Sequence, residues 1–293
     1  MEKKYTKLNV ENYGGMLYAP WFDRPLSIAG RLLVKDGKKI VTKLVNVDRD
    51  LVMIVNLAPH MNREVNDGYK YNAQVDMQTL YGGKDAHGSL MELIAKSAGV
   101  KAEDILGNDL YLYNRMEGTL WGAEEEFVSA PKLDDAQCAF ASLKGFLAGE
   151  SRKAVNVHAV FDNEEVGSST KQGAQSTFLR DILMRINSGL GRKEEDYIRA
   201  LASSFMLSAD NAHAVHPNYA DKADLTNRPY LNGGVVIKYN ASQNYTTDAV
   251  SAAIFKTMCE KAEVPYQTFA NRSDIRGGST LGNLSDTKVS INT

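Results

Sequence analysis

The sequence predicts an α/β fold in which a mostly parallel sheet is flanked by helices and a β-rich domain is inserted ahead of it. Two observations predict this fold. Strand candidates follow one another closely over residues 21–118, whereas after residue 118 strands alternate with helices, as in a parallel sheet with helices on both faces. We therefore expect a β-rich domain over 21–118 and an α/β domain over 119–293, with 1–20 as the tail of a preceding segment.

A hairpin is the clearest element of the β-rich part. The apolar runs "LSIAGRLLV" and "KKIVTKLVNV" flank Asp36-Gly37, a pair that is typical of tight hairpin turns. "DLVMIVNL" and "DLYLYN" are further strand candidates, and "HGSLMELIAKSAGV" has the apolar spacing of a helix that ends at Gly99. The polar stretch "APHMNREVNDGYKYNAQ" is long for a plain connection, which indicates a functional loop.

The α/β part begins with a helix. "DDAQCAFASLKGFLAG" has apolar residues at helical spacing, and the strand "KAVNVHAVF" follows it. Two more helices are expected, around 171–189 and 194–203. "GGVVIKY" and "PYQTFAN" then read as strands on either side of the helix "TTDAVSAAIFKTMCEKAE", and "RGGSTLG" is a glycine-rich loop.

The composition excludes several classes of protein. The formal net charge of the 293 residues is −2 and no basic run is present, so we expect no nucleic-acid partner. The longest apolar stretch is too short to span a bilayer, and the N-terminus lacks the apolar core of a signal peptide, so we expect no membrane association. Cys138 and Cys259 form no CxxC pair and fit a reduced cytoplasmic setting, with both as core thiols.

Acidic side chains follow several of the predicted strands. Since sites in open α/β sheets lie at the carboxyl ends of strands, these positions belong to one candidate site. They are Asp134 and Asp135 in "SAPKLDD", Glu164 and Glu165 in "FDNEEVGS", and Asp210 in "SADNAHAVHPNY", with Lys238 near the end of "GGVVIKY". Several acids at one sheet edge repel one another unless a cation lies between them, so the cluster predicts a divalent metal, zinc in particular.

The two adjacent glutamates could have different chemical roles. Neighbouring residues at a strand end point in different directions, so one carboxylate can bind metal while the other acts as a general base. A metal lowers the pKa of its bound water and the free carboxylate takes the proton. This is the chemistry of amide hydrolysis.

Each of these residues also has an ordinary structural interpretation. A Glu-Glu pair is usually a solvated surface pair, and Asp134 at the start of a helix could be only its N-cap. His213 and His216, spaced at three-residue intervals after Asp210, could be satisfied structural histidines. His158 lies within a predicted strand, where a histidine is more often part of the core than a ligand.

These segments together resemble the M18 metallo-aminopeptidases, the aspartyl aminopeptidase family. The resemblance rests on "SAPKLDD", "FDNEEVGS", "SADNAHAVHPNY", "KYNASQNYTTDAV" and "GGSTLGN" in the α/β part, and on "NYGGMLYAPWFDRPLSIAGR" and "PHMNREVNDGY" upstream. It covers essentially the whole chain. It implies a zinc-peptidase-like catalytic domain over 119–293, with an inserted dimerisation domain over 21–118 and a remnant of the N-terminal catalytic segment over 1–20.

The resemblance also implies roles for individual residues. Two zinc ions would share Asp134 as a bridging ligand, with Glu165 on one metal and Asp210 on the other. Glu164 would be the general base. His213 and Lys238 would lie in the substrate pocket.

The family's assembly gives a further expectation. His60, in the "PHMNREVN" loop, would reach the active site of a neighbouring subunit. Dimers would assemble into a tetrahedral dodecamer, which shuts out folded proteins and admits short peptides.

The chain departs from the family pattern at its metal ligands. The family takes one histidine from an early His-x-Asp motif and another from a "MHS"-type motif near its C-terminus, and neither is present here. The chain therefore resembles a member truncated at both ends. Because carboxylates alone hold zinc weakly, we expect this chain by itself to be inactive or severely weakened.

Three functions are compatible with the sequence. The first is a zinc aminopeptidase that removes an N-terminal residue, acidic (Asp or Glu) or neutral, with Lys238 and Arg276 as candidate partners for an acidic side chain. The second is a related two-metal deacylase or carboxypeptidase. The third is a non-catalytic assembly module that keeps only the dimerisation surface. Peptide substrates and a homo-oligomer are the partners that the first function implies.

Overall fold

The computed structural model describes residues 4–151, 153–279 and 281–293. Residues 1–3 of the predicted N-terminal segment and Thr280 of the glycine-rich loop lie outside the described residues. The chain divides into two compact units, Met1–Pro131 and Lys132–Thr293. The sequence placed this division between residues 118 and 119.

The first unit is built from short sheets and two helices. Its three-stranded sheet has the order β3-β2-β5, and both pairs are antiparallel. Two-stranded sheets join β1 to β4 and β6 to β7. The elements are β1 (Tyr5–Leu8), β2 (Leu26–Asp36), β3 (Lys39–Asn46), α1 (Ala73–Asp76), β4 (Thr79–Gly83), α2 (Leu90–Ala98), β5 (Ile105–Asn114), β6 (Thr119–Trp121) and β7 (Phe127–Ser129).

The predicted hairpin and helix of this unit are confirmed. Asp36 pairs with Lys39 at the end of the β2–β3 ladder, and Gly37 takes the positive φ of 60° that a tight turn needs. Helix α2 ends at Gly99, whose left-handed backbone lets its N–H donate to the carbonyls of Ala95 and Lys96. The local turn chemistry was therefore sufficient to predict these elements.

Apolar side chains that alternate with outward-facing ones along β2 and β3 form part of the core of the first unit. Ile28, Leu32, Val34 and Val45 are buried together with Ile94 of α2. A second cluster places Val52 and Ile54 against Phe22, Leu26 and Met77. The "DLVMIVNL" segment thus packs in the core, but it joins its neighbours through isolated bridges rather than a regular strand.

The second unit combines helices with a parallel pair of strands. Its elements are α3 (Leu133–Ala148), α4 (Phe178–Gly189), α5 (Glu194–Ala202), β8 (Val235–Tyr239), α6 (Ala249–Lys261), β9 (Tyr266–Ala270) and α7 (Leu281–Asp286). Strands β8 and β9 pair in parallel from Val235–Tyr266 to Tyr239–Ala270. Helix α6 connects them, and the Asp248 carboxylate caps it by accepting from the N–H groups of Val250 and Ser251. This βαβ unit matches the alternation predicted for these residues.

Three expectations for the second unit differ from the structure. Residues 155–161 and 206–210 are irregular rather than strands, since they enter no ladder among the described residues. Helix α4 begins at Phe178 rather than near 171, because residues 168–177 fold into turns in which Gly173 lies directly against the Ser168 carbonyl. Over the described residues, every helix is too short or too polar to cross a membrane.

Candidate active site

Three carboxylates of the second unit converge. One oxygen from each of Asp134, Asp135 and Asp210 lies within 4.8 Å of the other two. Asp135 and Asp210 are partly buried and Asp134 is exposed. Such a spacing places three negative charges where one cation could contact all of them. The sequence predicted Asp134 and Asp210 as metal ligands, and the structure brings them together with Asp135.

The start of α3 positions the first two acids. Lys132, at the N-cap, has a left-handed backbone with φ of 61°, and Asp134 and Asp135 keep non-helical backbone angles. The Ala136 N–H then donates to the Lys132 carbonyl at 3.1 Å, and the regular helix follows. Asp134 has the extended backbone that is typical of an N-cap, with φ of −89° and ψ of 113°, so the alternative in which it caps the helix stays open.

Lys238 holds the third acid. Its ammonium donates to Oδ2 of Asp210 at 2.7 Å and to the carbonyl of Asn211 at 2.6 Å. It also lies 5.5 Å from the centre of the Tyr245 ring. The Lys238 side chain is 13% exposed and that of Asp210 is 27% exposed, so this ion pair is largely shielded from solvent. Lys238 therefore contacts one of the expected ligands, and its role as a substrate contact stays a prediction.

Loss of hydration and repulsion between like charges both raise the pKa values of acids at the site. Loss of hydration, followed by the nearby Asp210 charge, raises the pKa of Asp134. Loss of hydration also raises the pKa of Glu164, and the charges of Glu165, Asp210, Asp134 and Asp135 add to that effect. The negative charges of the acidic cluster thus all act on the Glu164 carboxylate. A bound cation would relieve this repulsion.

The two adjacent glutamates lie in a 3-10 turn, Glu164–Val166, rather than at the end of a strand. Left-handed backbone at Asn163 and Gly167 brackets the turn, and the Gly167 N–H closes it on the Glu164 carbonyl at 2.8 Å. Among the described residues, Glu165 is not in the group of three converging carboxylates. Its predicted role as a ligand stays a prediction.

The histidines fall into two classes. His213 is near enough to the cluster for its charge to lower the pKa of Asp134, and its role as a substrate contact stays a prediction. His216 accepts the Asn218 N–H at Nδ1 and stacks near Tyr219, and His158 bonds to Ser142, which fits structural roles for both.

No described contact joins the other two candidate residues, His60 and Arg276, to the three carboxylates. His60 is exposed in a turn-rich segment of the first unit, and Arg276 is exposed in the second. Their proposed contacts with substrate are therefore untested by the geometry.

Asn211 is a site residue that the sequence analysis did not single out, whereas Asp135 was named among the acids but given no role of its own. One Asp135 carboxylate oxygen is buried without a hydrogen-bond partner among the described residues, and Asn211 bonds to the segment that carries Asp134. Each is the immediate neighbour of a predicted ligand. That adjacency was the only signal available, because the partners of a polar side chain depend on the fold.

Known proteins resemble the whole chain. A family model described as "Aminopeptidase I zinc metalloprotease (M18)" matches residues 1–293. A Clostridium acetobutylicum protein named "Probable M18 family aminopeptidase 2" is 48% identical over 299 residues, covering 100% of this chain and 69% of that protein.

Solved structures show the same fold. The structure titled "Cryo-EM structure of the Ape4 and Nbr1 complex" has a TM-score of 0.91 at 34% identity, covering 99% of this chain and 60% of that one. The structure titled "Structure of S. cerevesiae mApe1 dodecamer" has a TM-score of 0.80 at 27% identity, covering 99% of this chain and 66% of that one. This chain thus spans roughly two thirds of the length of these proteins, and the predicted α/β fold class is confirmed.

Proposed function

Because the chain belongs to the M18 family of aminopeptidase I zinc metalloproteases, we propose that it forms a catalytic and metal-binding part of a zinc aminopeptidase. Aminopeptidases are hydrolases, and the substrate class is peptides with a free N-terminus. The observation that carries the proposal is the convergence of Asp134, Asp135 and Asp210 within 4.8 Å.

The donor set fits zinc. Carboxylate oxygens are established zinc ligands. Loss of hydration, followed by the Asp210 charge, raises the pKa of Asp134, and a cation at this place would relieve the repulsion between the two acids. We propose two zinc ions held by Asp134 as the shared ligand, with Glu165 on one side and Asp210 on the other. When bound, zinc supplies polarisation of the scissile carbonyl and acidification of water.

Glu164 is the proposed general base. Its carboxylate takes a proton from the attacking water and returns it to the amine that leaves. A base works best when its pKa approaches the working pH, and loss of hydration, followed by the charges of the surrounding acids, raises the pKa of Glu164 in that direction. The Glu164 backbone is fixed by the 3-10 turn, which holds the carboxylate on the side of the cluster.

Substrate recognition is assigned to the positive groups near the cluster. We propose that His213 and Lys238 contact the N-terminal residue of the peptide, and that His60 does so from a neighbouring subunit. Lys238 suits an acidic Asp or Glu side chain, although it must then share its ammonium with Asp210. A neutral N-terminal residue leaves that ion pair intact.

Assembly and location complete the proposal. Exposed apolar side chains on the first unit support self-association there, and the resembling mApe1 structure is titled a dodecamer. We therefore propose a homo-oligomer in which dimers build a dodecamer. A cytoplasmic location is supported by Cys138 and Cys259, which are both free thiols.

One observation favours a second function. The Lys238 ammonium already neutralises Asp210, and this pair competes with a metal for the same carboxylate. A non-catalytic assembly module is therefore the second candidate. The deacylase or carboxypeptidase alternative is not favoured, since the matching family is one of aminopeptidases.

Zinc affinity and peptidase activity test the proposal together. We expect the chain to bind zinc only weakly in competition with a chelator, because the converging donors are carboxylates, and to release N-terminal Asp, Glu or Leu slowly from peptides but not from their N-acyl forms. Asp134→Asn should weaken zinc binding at least about tenfold, because it removes the shared charged ligand. The control Asp85→Asn changes an exposed acid of the first unit and should have no effect. Neither zinc binding nor peptide hydrolysis by the wild-type chain would leave the assembly module as the better function.

A further inference from the structure

Asn211 bonds through both ends of its side-chain amide and through its backbone carbonyl within the site. Its side-chain Nδ2 donates to the Leu133 carbonyl at 2.9 Å, and its Oδ1 accepts from the Cys138 thiol at 3.3 Å. Its carbonyl accepts from Lys238 at 2.6 Å. Loss of hydration raises the pKa of the nearby Asp135 carboxyl, and the Asn211 N–H lowers it. Few side chains as short as asparagine offer a donor and an acceptor together.

These bonds join the two segments that carry the proposed ligands. Leu133 immediately precedes Asp134, and Asn211 immediately follows Asp210, although 78 residues separate Leu133 from Asn211. The segment 206–210 enters no regular strand, but the Met206 N–H donates to the Asn292 carbonyl at 2.8 Å and the Ser208 hydroxyl accepts from the Gly282 N–H at 2.9 Å. These bonds hold the segment to residues near the C-terminus, whereas the contacts of Asn211 join it to the backbone before Asp134.

We propose that Asn211 is a positioning residue that sets the distance between the Asp134 and Asp210 carboxylates. This inference rests on the proposed function, in which those two acids hold zinc. Asn211 does not bind the metal or touch the substrate. It acts through the Leu133 carbonyl and the Cys138 thiol, which lock α3 against the Asp210 segment.

The residue type follows from this role. Aspartate would place a second acceptor opposite the Leu133 carbonyl and lose that hydrogen bond, and alanine would lose both side-chain bonds. A metal site depends on the placement of its ligands, and removing an outer residue that orients them typically costs about 10- to 100-fold in metal affinity. A side chain with only a general structural role would reduce stability without changing that affinity.

A matched pair of variants tests the proposal. Asn187 makes the same kind of bond as Asn211, from Nδ2 to the Lys193 carbonyl at 2.9 Å, but at the end of α4. We expect Asn211→Ala and Asn211→Asp to raise the zinc Kd about 10- to 100-fold, and Asn187→Ala to leave it unchanged. Melting temperatures of the zinc-free proteins, measured alongside, show which variants are folded.

Two measurements keep this proposal separate from the proposed function. If Asp134→Asn weakens zinc binding while both folded Asn211 variants bind zinc like the wild type, the positioning role is overturned. If the wild-type chain binds no zinc, a crystal structure of zinc-free Asn211→Asp still tests whether Asn211 sets the distance between the two carboxylates. We expect its Asp134 and Asp210 carboxylates to lie farther apart than 4.8 Å, and an unchanged separation would refute the proposal.

Discussion

At the scale of single residues, two neighbouring glutamates are assigned different tasks. Glu164 lies among four other acids whose charges raise its pKa, after the larger effect of lost hydration. Glu165 is next to it in the same tight turn but outside the three converging carboxylates. The proposed function makes the first a base and the second a ligand, and replacing each by glutamine separates the two roles.

We predict that Glu164→Gln lowers kcat for peptide hydrolysis by about 10²- to 10⁴-fold, because the amide cannot take a proton. Zinc affinity should not fall. Glu165→Gln should instead weaken zinc binding by about tenfold or more, because a charged ligand is lost. Steady-state kinetics and chelator competition measure the two effects.

The outer face of α5 supplies the control for these changes. Glu195→Gln alters an exposed glutamate there and should change neither quantity. The assignment of roles is wrong if Glu164→Gln loses zinc as readily as Glu165→Gln does.

At the scale of elements, local sequence decided where some helices and strands form, and tertiary packing decided the others. The β2–β3 hairpin and α2 carry their own turn and stop residues, Gly37 and Gly99, and were predictable from them. The segment 155–161 reads as a buried strand, yet a strand exists only if a neighbour supplies the hydrogen bonds of a ladder. Its apolar pattern could not reveal that condition.

We predict that Leu32→Ala destabilises the first unit by about 2–5 kcal/mol. Leu32 on β2 is fully buried against Ile94 of α2, so truncation leaves a cavity in the core. Leu17→Ala removes the same atoms at a side chain that is 79% exposed and should cost less than about 0.5 kcal/mol. Urea unfolding followed by circular dichroism measures both, and equal effects would contradict the packing described for β2.

At the scale of the whole molecule, the first unit presents apolar side chains to solvent. Ile40 and Leu44 alternate along β3 with the inward-facing Val41 and Val45, and Tyr111 lies on β5 of the same sheet. Leu44 is 81% exposed, which is unusual for a leucine that has neighbours of the same kind. A second copy of the chain would remove this surface from water.

We predict that the chain sediments as an oligomer well above its 32.3 kDa mass and that Leu44→Glu reduces the sedimenting mass. The substitution places a charge where the proposed contact needs an apolar side chain, and the cost of burying that charge opposes association. Leu17→Glu, at another exposed leucine of the same unit, should leave the mass unchanged. Equal masses for Leu44→Glu and the wild type would remove this face from the proposed contact.

The sequence by itself determined the family and the fold class, and it named the three acids that the structure brings together. Hydrophobic periodicity depends on neighbouring residues, so the hairpin, α2, α3 and the βαβ unit around α6 were all predictable. The segments around Asp134, Glu164 and Asp210 were specific enough to indicate metal-dependent hydrolysis before any distance was known.

Only the tertiary structure decided which of these groups meet. The sequence named Lys238 as a substrate contact, whereas the fold also makes it the partner of Asp210. It overlooked Asn211, whose bond to Leu133 crosses 78 residues. Local pattern could not supply such contacts, because a hydrogen bond or an ion pair depends on distances that are set when separate segments pack together.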